Sequence, residues 1–228
     1  MTGPSEHATV LQAASLLLQY PDERWRAGLP TVLDAVQVLP AGAPRNGLLS
    51  FIDHARHTPA AELEQHYVEI FDRKRKCCLH LTWYTDGETR RRGLSLARLK
   101  ALYRTHGFEL QGGELPDFLP VVLEFAAQGD VTLGLQLLQE HRPAVELLRL
   151  ALLDIDTPYS SVLTSLCALL PGVSPADEAA AIALARNGPP GESVGLTPYG
   201  APGSQTSISA DPLAGLGPTS LEFTGVRR

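Results

Sequence analysis

The chain is 228 residues long, enough for one substantial core or two small ones, and 44% hydrophobic against 19% charged residues excludes a disordered chain. Nineteen Lys and Arg against 25 Asp and Glu give a formal charge of -6. Residues 73–104 hold ten basic and only two acidic side chains, a local charge of +8 against -14 for the remainder, which excludes a protein that grips nucleic acid over its whole surface.

Apolar residues recur at helical spacing almost throughout. Leu11 and Leu16 to Leu18 mark a first helix that Pro21 ends, and Trp25, Leu29, Val32, Leu33, Val36 and Leu39 a second, with Pro30 as an interruption. Pro44 opens a third, with Leu48, Leu49, Ile52 and Ala55. Thr58-Pro59 reads as an N-cap followed by proline, launching a helix with Leu63, Tyr67, Ile70 and Phe71. A basic turn precedes a short helix over Leu79 to Tyr84, and a longer one carries Leu94, Ala97, Leu99, Leu102 and Tyr103 up to Gly107. Asp117 is the expected N-cap for Leu119 to Ala127, and Asp130 for Val131 to Leu138. Pro143 starts Val145 to Leu153, Thr157-Pro158 starts Val162 to Leu170, and Ser174-Pro175 starts a last helix to Ala185.

No run alternates like a strand, so the expected fold is all-α: a single compact domain of about nine to eleven helices over residues 1–186. Residues 187–228 hold 14 of the 38 glycines and prolines and show no apolar period, and are expected to be a disordered tail. The N-terminus lacks a basic n-region, and the charge-free stretch Thr157 to Ala176 contains three prolines, so neither a signal peptide nor a bilayer span is expected. Three cysteines are too few for a disulfide scaffold. The expected location is the cytoplasm.

No phosphate loop, G-x-S-x-G or H-E-x-x-H motif is present, which points away from an enzyme. The seven histidines are scattered and read as solvated side chains. Cys77-Cys78-Leu79-His80 lacks the second ligand pair a zinc site needs and reads as buried apolar packing, so no metal or other cofactor is expected. Arg73–Lys76 and Arg90–Arg92, separated by Trp83 and Tyr84, suggest a nucleic-acid-binding regulator as the alternative function. Core packing accounts for the two aromatics more simply, and the acidic remainder offers the arginines internal partners.

The helix carrying Tyr67, Ile70 and Phe71 has Glu62, Gln65, Glu69 and Asp72 on its other flank. Carboxylates beside aromatics suit an arginine-bearing peptide. A second acidic place is Glu114-Leu115-Pro116-Asp117-Phe118-Leu119-Pro120.

At these segments the chain resembles the NarJ-type nitrate reductase assembly chaperones, or delta subunits, of the TorD and DmsD group of redox-enzyme maturation proteins. The resemblance rests on Tyr67-Val68-Glu69-Ile70-Phe71-Asp72, the following Arg73 to Thr82, Tyr84 to Arg90 with Gly93, and Glu114 to Phe125, in that order. It implies an all-α chaperone without bound metal. Its implied partner is the catalytic, molybdenum-containing alpha subunit of respiratory nitrate reductase, held through its N-terminal peptide until the molybdenum cofactor is inserted and the complex docks on its membrane subunit. Carried over by position, the client-binding residues are Tyr67, Glu69, Ile70, Phe71, Asp72, Glu114, Pro116 and Asp117. Phe118 stands where the wider TorD group has histidine, so no role of that histidine carries over.

Overall fold

The computed structural model describes residues 3–110 and 113–187. Residues 188–228, almost all of the tail expected to be disordered, lie outside the described residues. Eleven α-helices follow one another: α1 Pro4–Leu17, α2 Glu23–Gln37, α3 Ala43–His57, α4 Ala60–Tyr67, α5 Leu81–Asp86, α6 Arg90–Thr105, α7 Leu119–Gln128, α8 Val131–Glu140, α9 Arg142–Asp154, α10 Tyr159–Cys167 and α11 Glu178–Asn187. A π-helical turn, Val68–Asp72, continues α4, and a 3-10 turn spans Arg75–Cys77. Among the described residues there is no strand, only an isolated antiparallel bridge between His80 and Phe118.

The centre of this all-α domain is α7, apolar on all but the flank that carries Glu124 and Gln128. Leu119 to Leu123, Phe125 and Ala126 are all buried. Helix α1 lies along it with Val10, Leu11, Ala14 and Leu17 buried, and Ser15 donates a hydrogen bond across the pair to the Pro120 carbonyl at 2.7 Å. Close approach fixes two glycines. A Cβ on Gly134 of α8 would strike Ala126 of α7, and one on Gly47 of α3 would lie 2.6 Å from the Ser161 carbonyl of α10. An aromatic cluster joins α3, α4 and α10, with Phe51, Tyr67 and Phe71 arrayed around the buried Tyr159 at centroid distances of 4.6, 6.1 and 4.8 Å.

Several boundaries differ from the sequence expectations, each for a local reason. Helix α2 runs through Pro30, which lies on an exposed side of the helix. Thr58 does not cap α4. Its hydroxyl and amide both donate to the His54 carbonyl and close α3, leaving Pro59 as the first cap of α4. The last helix begins at Glu178 rather than Pro175, where Asp177 accepts from the Ala180 amide at 2.8 Å. Asp130 caps α8 as expected, accepting from Thr132 and Leu133.

The segment 171–176 is held down by a buried ionic cluster on α9. Glu146, fully buried, accepts from Arg149 at 2.7 Å and pairs with Arg142 at 3.4 Å. Both arginines also donate to backbone carbonyls of the segment, at Pro171, Gly172 and Pro175, and Ser174 donates to Glu146. One carboxylate serves both guanidinium groups and backbone carbonyls take further N–H donors of each arginine, which is what makes the burial tolerable.

Candidate functional site

The eight residues singled out from the sequence divide by burial. Tyr67, Ile70, Phe71, Pro116 and Asp117 are buried, Glu69 is half-exposed, and Asp72 and Glu114 are exposed. The π-helical turn contributes to this division. Its wide step, with Arg73 N–H donating to the Val68 carbonyl at 3.1 Å, keeps Ile70 and Phe71 in the core and leaves Asp72 outside.

Asp117 does not cap α7, whose first residues follow Phe118 without a side-chain cap. It caps α5 from across the fold instead. Its carboxylate accepts from the Thr82 amide at 3.2 Å, from the Thr82 hydroxyl, and from His80 Nδ1 at 3.0 Å, with Arg92 3.6 Å away. Burial alone would raise the Asp117 carboxyl, but the hydrogen bonds from His80 and Thr82 and the positive charges of His80 and Arg92 outweigh it and hold it below the usual carboxylate range. Backbone bonds from Leu81 to Asp117 and from Leu119 to Leu79 complete the junction. Asp117 is therefore unavailable to a ligand in this conformation.

What remains accessible is an acidic patch around two tyrosines. Tyr20 and Tyr67 meet edge to face at 5.5 Å, and Tyr67 donates to the Leu18 carbonyl. Tyr20 donates to Glu64 at 3.3 Å. The Tyr20 hydroxyl is raised by its surroundings, then by the negative charges of Glu64, Asp22 and Asp72. Tyr67 is raised chiefly by burial, then by Tyr159, Asp72 and Glu114. Asp22, Glu64 and Asp72 thus act on Tyr20, and Asp72 and Glu114 on the neighbouring Tyr67, and none of the four is in an ion pair with another described residue. Glu69 faces elsewhere: it accepts from Gln65 and acts, with Glu62, on His66.

Beside the patch an apolar cleft of about 300 Å³ opens between α1 and α2, lined by Leu16, Leu17, Trp25, Leu29 and Val32, with Asp22 at its edge. Tyr20, Asp22, Glu64 and this cleft were missed from sequence. The only signal for them was Tyr20-Pro21-Asp22, a break between two helices that brings an aromatic and a carboxylate to one corner. A larger groove of about 820 Å³ runs along α9, with Leu147, Leu150, Ala151 and Leu153 below, Trp83 and Tyr84 on one wall, and Lys76 and Glu178 3.9 Å apart across it.

Three of the histidines expected to be solvated are built into the fold. His66 stacks on Tyr159 and bonds the Thr157 hydroxyl at 2.8 Å, His80 serves Asp117, and His141 is substantially enclosed, with its pKa lowered mainly by burial. Among the described residues, no group of three or more His, Cys, Asp or Glu is placed to hold a metal ion, and no helix is long and apolar enough to cross a membrane. Cys77 is buried and Cys78 half-buried, with burial raising both thiols, so neither is primed as a nucleophile.

Residues 38–165 match the nitrate reductase delta subunit family. The chain belongs to that family. It is 35% identical over 170 residues to the probable nitrate reductase molybdenum cofactor assembly chaperone NarJ of Bacillus subtilis (strain 168), an alignment covering 74% of this chain and 92% of that one. Against the nitrate reductase molybdenum cofactor assembly chaperone NarJ of Escherichia coli (strain K12) the identity is 31%, covering 66% of this chain and 64% of the relative. Both relatives are named as assembly chaperones rather than as catalysts. In structure, the chain shares its fold with a proposed redox enzyme maturation protein from Archaeoglobus fulgidus, at a TM-score of 0.55 and 19% identity over 74% of this chain and 94% of that one. The family match spans α3 to α10 and so contains the π-helical turn, the Asp117 junction and three of the four patch carboxylates.

Proposed function

We propose that this protein is a cytoplasmic assembly chaperone, not an enzyme. It binds the catalytic alpha subunit of respiratory nitrate reductase, chiefly through that subunit's N-terminal peptide. It holds the subunit competent for molybdenum-cofactor insertion and membrane assembly. The observation that carries this reading, beside family membership, is the unpaired acidic patch next to an apolar cleft. Glu64, Asp72 and Glu114 offer carboxylates for basic client residues, and Asp22 leads into the cleft that takes the apolar side of an amphipathic peptide. Tyr67, Ile70, Phe71, Pro116 and Asp117 act from beneath, as the support that fixes the patch. Glu69, turned to Gln65 and His66, is a carboxylate outside this patch.

Titration of the protein with a synthetic peptide of the client's N-terminus tests this. The Glu64→Gln, Asp72→Asn, Glu114→Gln variant is expected to bind at least about tenfold more weakly, since each charge-assisted contact is worth roughly 1 kcal/mol or more. Unchanged affinity in that variant overturns the site. Absence of binding by the unmodified protein overturns the function.

A further inference from the structure

Among the described residues, three of the ten cations of the basic segment find a counter-charge: Arg75 with Glu88, Lys76 with Glu178, and Arg92 with Asp117. Trp83, expected in the core, is half-exposed and carries the guanidinium groups of Arg75 and Arg92 over its ring at 5.1 and 6.0 Å. The Arg73–Lys76 run thus lies beside the start of α6.

Helix α6 presents most of its surface to solvent. Only Leu99 and Tyr103 are buried along its 16 residues, and it bears six cations and no carboxylate. On its outward side Leu94, 69% exposed, is followed at helical spacing by the exposed Ala97 and Ala101. Arg91 and Arg98 fall along one flank of this ridge and Lys100 and Arg104 along the other, all exposed and without ion pairs among the described residues.

We propose that this face of α6 docks on the anionic surface of a phospholipid bilayer. The chemistry recognised is a field of lipid phosphates. The apolar ridge enters the headgroup layer while the flanking arginine and lysine stems run along it and reach the phosphates. Sequence-independent binding to nucleic acid rests chiefly on phosphate contacts and would leave the exposed Leu94 without a role. The groove along α9 that Arg75 and Lys76 line includes no residue of α6, so it gives an acidic segment no seat on this face. The proposal is independent of the peptide site, which lies on carboxylates elsewhere.

Flotation of the full chain with vesicles tests it, comparing pure phosphatidylcholine with vesicles containing about one-quarter phosphatidylglycerol. The protein is expected to float only with the anionic vesicles at about 50 mM salt, and at least tenfold less at about 300 mM. Arg91→Glu with Arg98→Glu is expected to lower binding at least about tenfold, and Leu94→Asp several-fold, with unchanged circular dichroism. The Glu64→Gln, Asp72→Asn, Glu114→Gln variant should float like the parent, so failure of the peptide site leaves this result readable. Equal flotation with neutral vesicles, no flotation, or undiminished flotation of the α6 variants overturns the proposal. Tighter binding to duplex DNA than to anionic vesicles at the same salt also overturns it.

Discussion

Replacing Asp117 tests the junction on which α5, α6 and α7 converge. In Asp117→Ala the buried Thr82 loses the acceptor for both its amide and its hydroxyl, and His80 Nδ1 loses its partner. Each buried donor left unsatisfied costs about 1–3 kcal/mol. His80 and Arg92 are partly exposed and recover some of the loss through water. The total is about 3–5 kcal/mol, the range for removing one partner of a buried charge pair. With a urea slope of about 1–3 kcal/mol/M, the unfolding midpoint at neutral pH should fall by about 1–3 M. Asp117→Asn, which keeps one acceptor oxygen, should lose roughly half as much. Because the folded Asp117 carboxyl lies below its ordinary value, its contribution is complete above about pH 4 and disappears as the pH falls through the folded value. The gap between parent and Asp117→Asn should therefore close in acid. An Asp117→Ala protein within about 0.5 kcal/mol of the parent at neutral pH refutes the reasoning.

Three further outcomes are expected. Glu146→Ala leaves Arg142 and Arg149 buried without a counter-charge and should cost about 3–5 kcal/mol in urea unfolding, with limited proteolysis cutting first in the 171–177 segment. Gly134→Val drives a side chain into Ala126 and should cost at least about 1–3 kcal/mol and weaken the near-ultraviolet dichroism, as the contact between α7 and α8 must open. His66 has a folded pKa lowered mainly by burial, so its contribution is complete above about pH 6.5 and is lost as the pH falls through the folded value. Thermal midpoints measured from neutral to mildly acidic pH should fall less steeply in His66→Asn than in the parent.

The helical fold was legible because its signals are local. Apolar residues at 3.6-residue spacing and the Asp130 cap depend only on near neighbours in the chain. Two of the expectations that failed depended on which of two local uses a polar residue takes. Thr58 could open α4 or close α3, and Asp117 could cap α7 or reach back to Thr82, 35 residues earlier. Tertiary packing decides such choices, and no window of sequence contains it. The acidic patch was half legible for the same reason. Asp72 and Glu114 were found within family-like segments, whereas Asp22 and Glu64 join them only because Tyr20 and Tyr67 pack together. Charge balance was the least transferable signal, since among the described residues the acidic remainder places carboxylates within reach of three of the ten cations.

The segment Glu114-Leu115-Pro116-Asp117-Phe118 shows how much of a family signature can be architecture. The Pro116 carbonyl accepts from Tyr103 at 2.7 Å and so holds the C-terminal end of α6, while Asp117 holds the helix's N-terminal end through Arg92. Phe118 bridges to His80, packs on its ring and gives α7 its starting residue. Leu115 is exposed, and only Glu114 adds its charge to the patch around Tyr67. Four of the five residues thus have a role, and three of those roles are contacts to α6 or to the start of α5. A substitution at Pro116 or Asp117 that weakens client binding would be expected whether or not either residue touches a client, because α6 and the patch hang from the same short segment. Only a loss at Glu114 that leaves the urea midpoint unmoved speaks for contact.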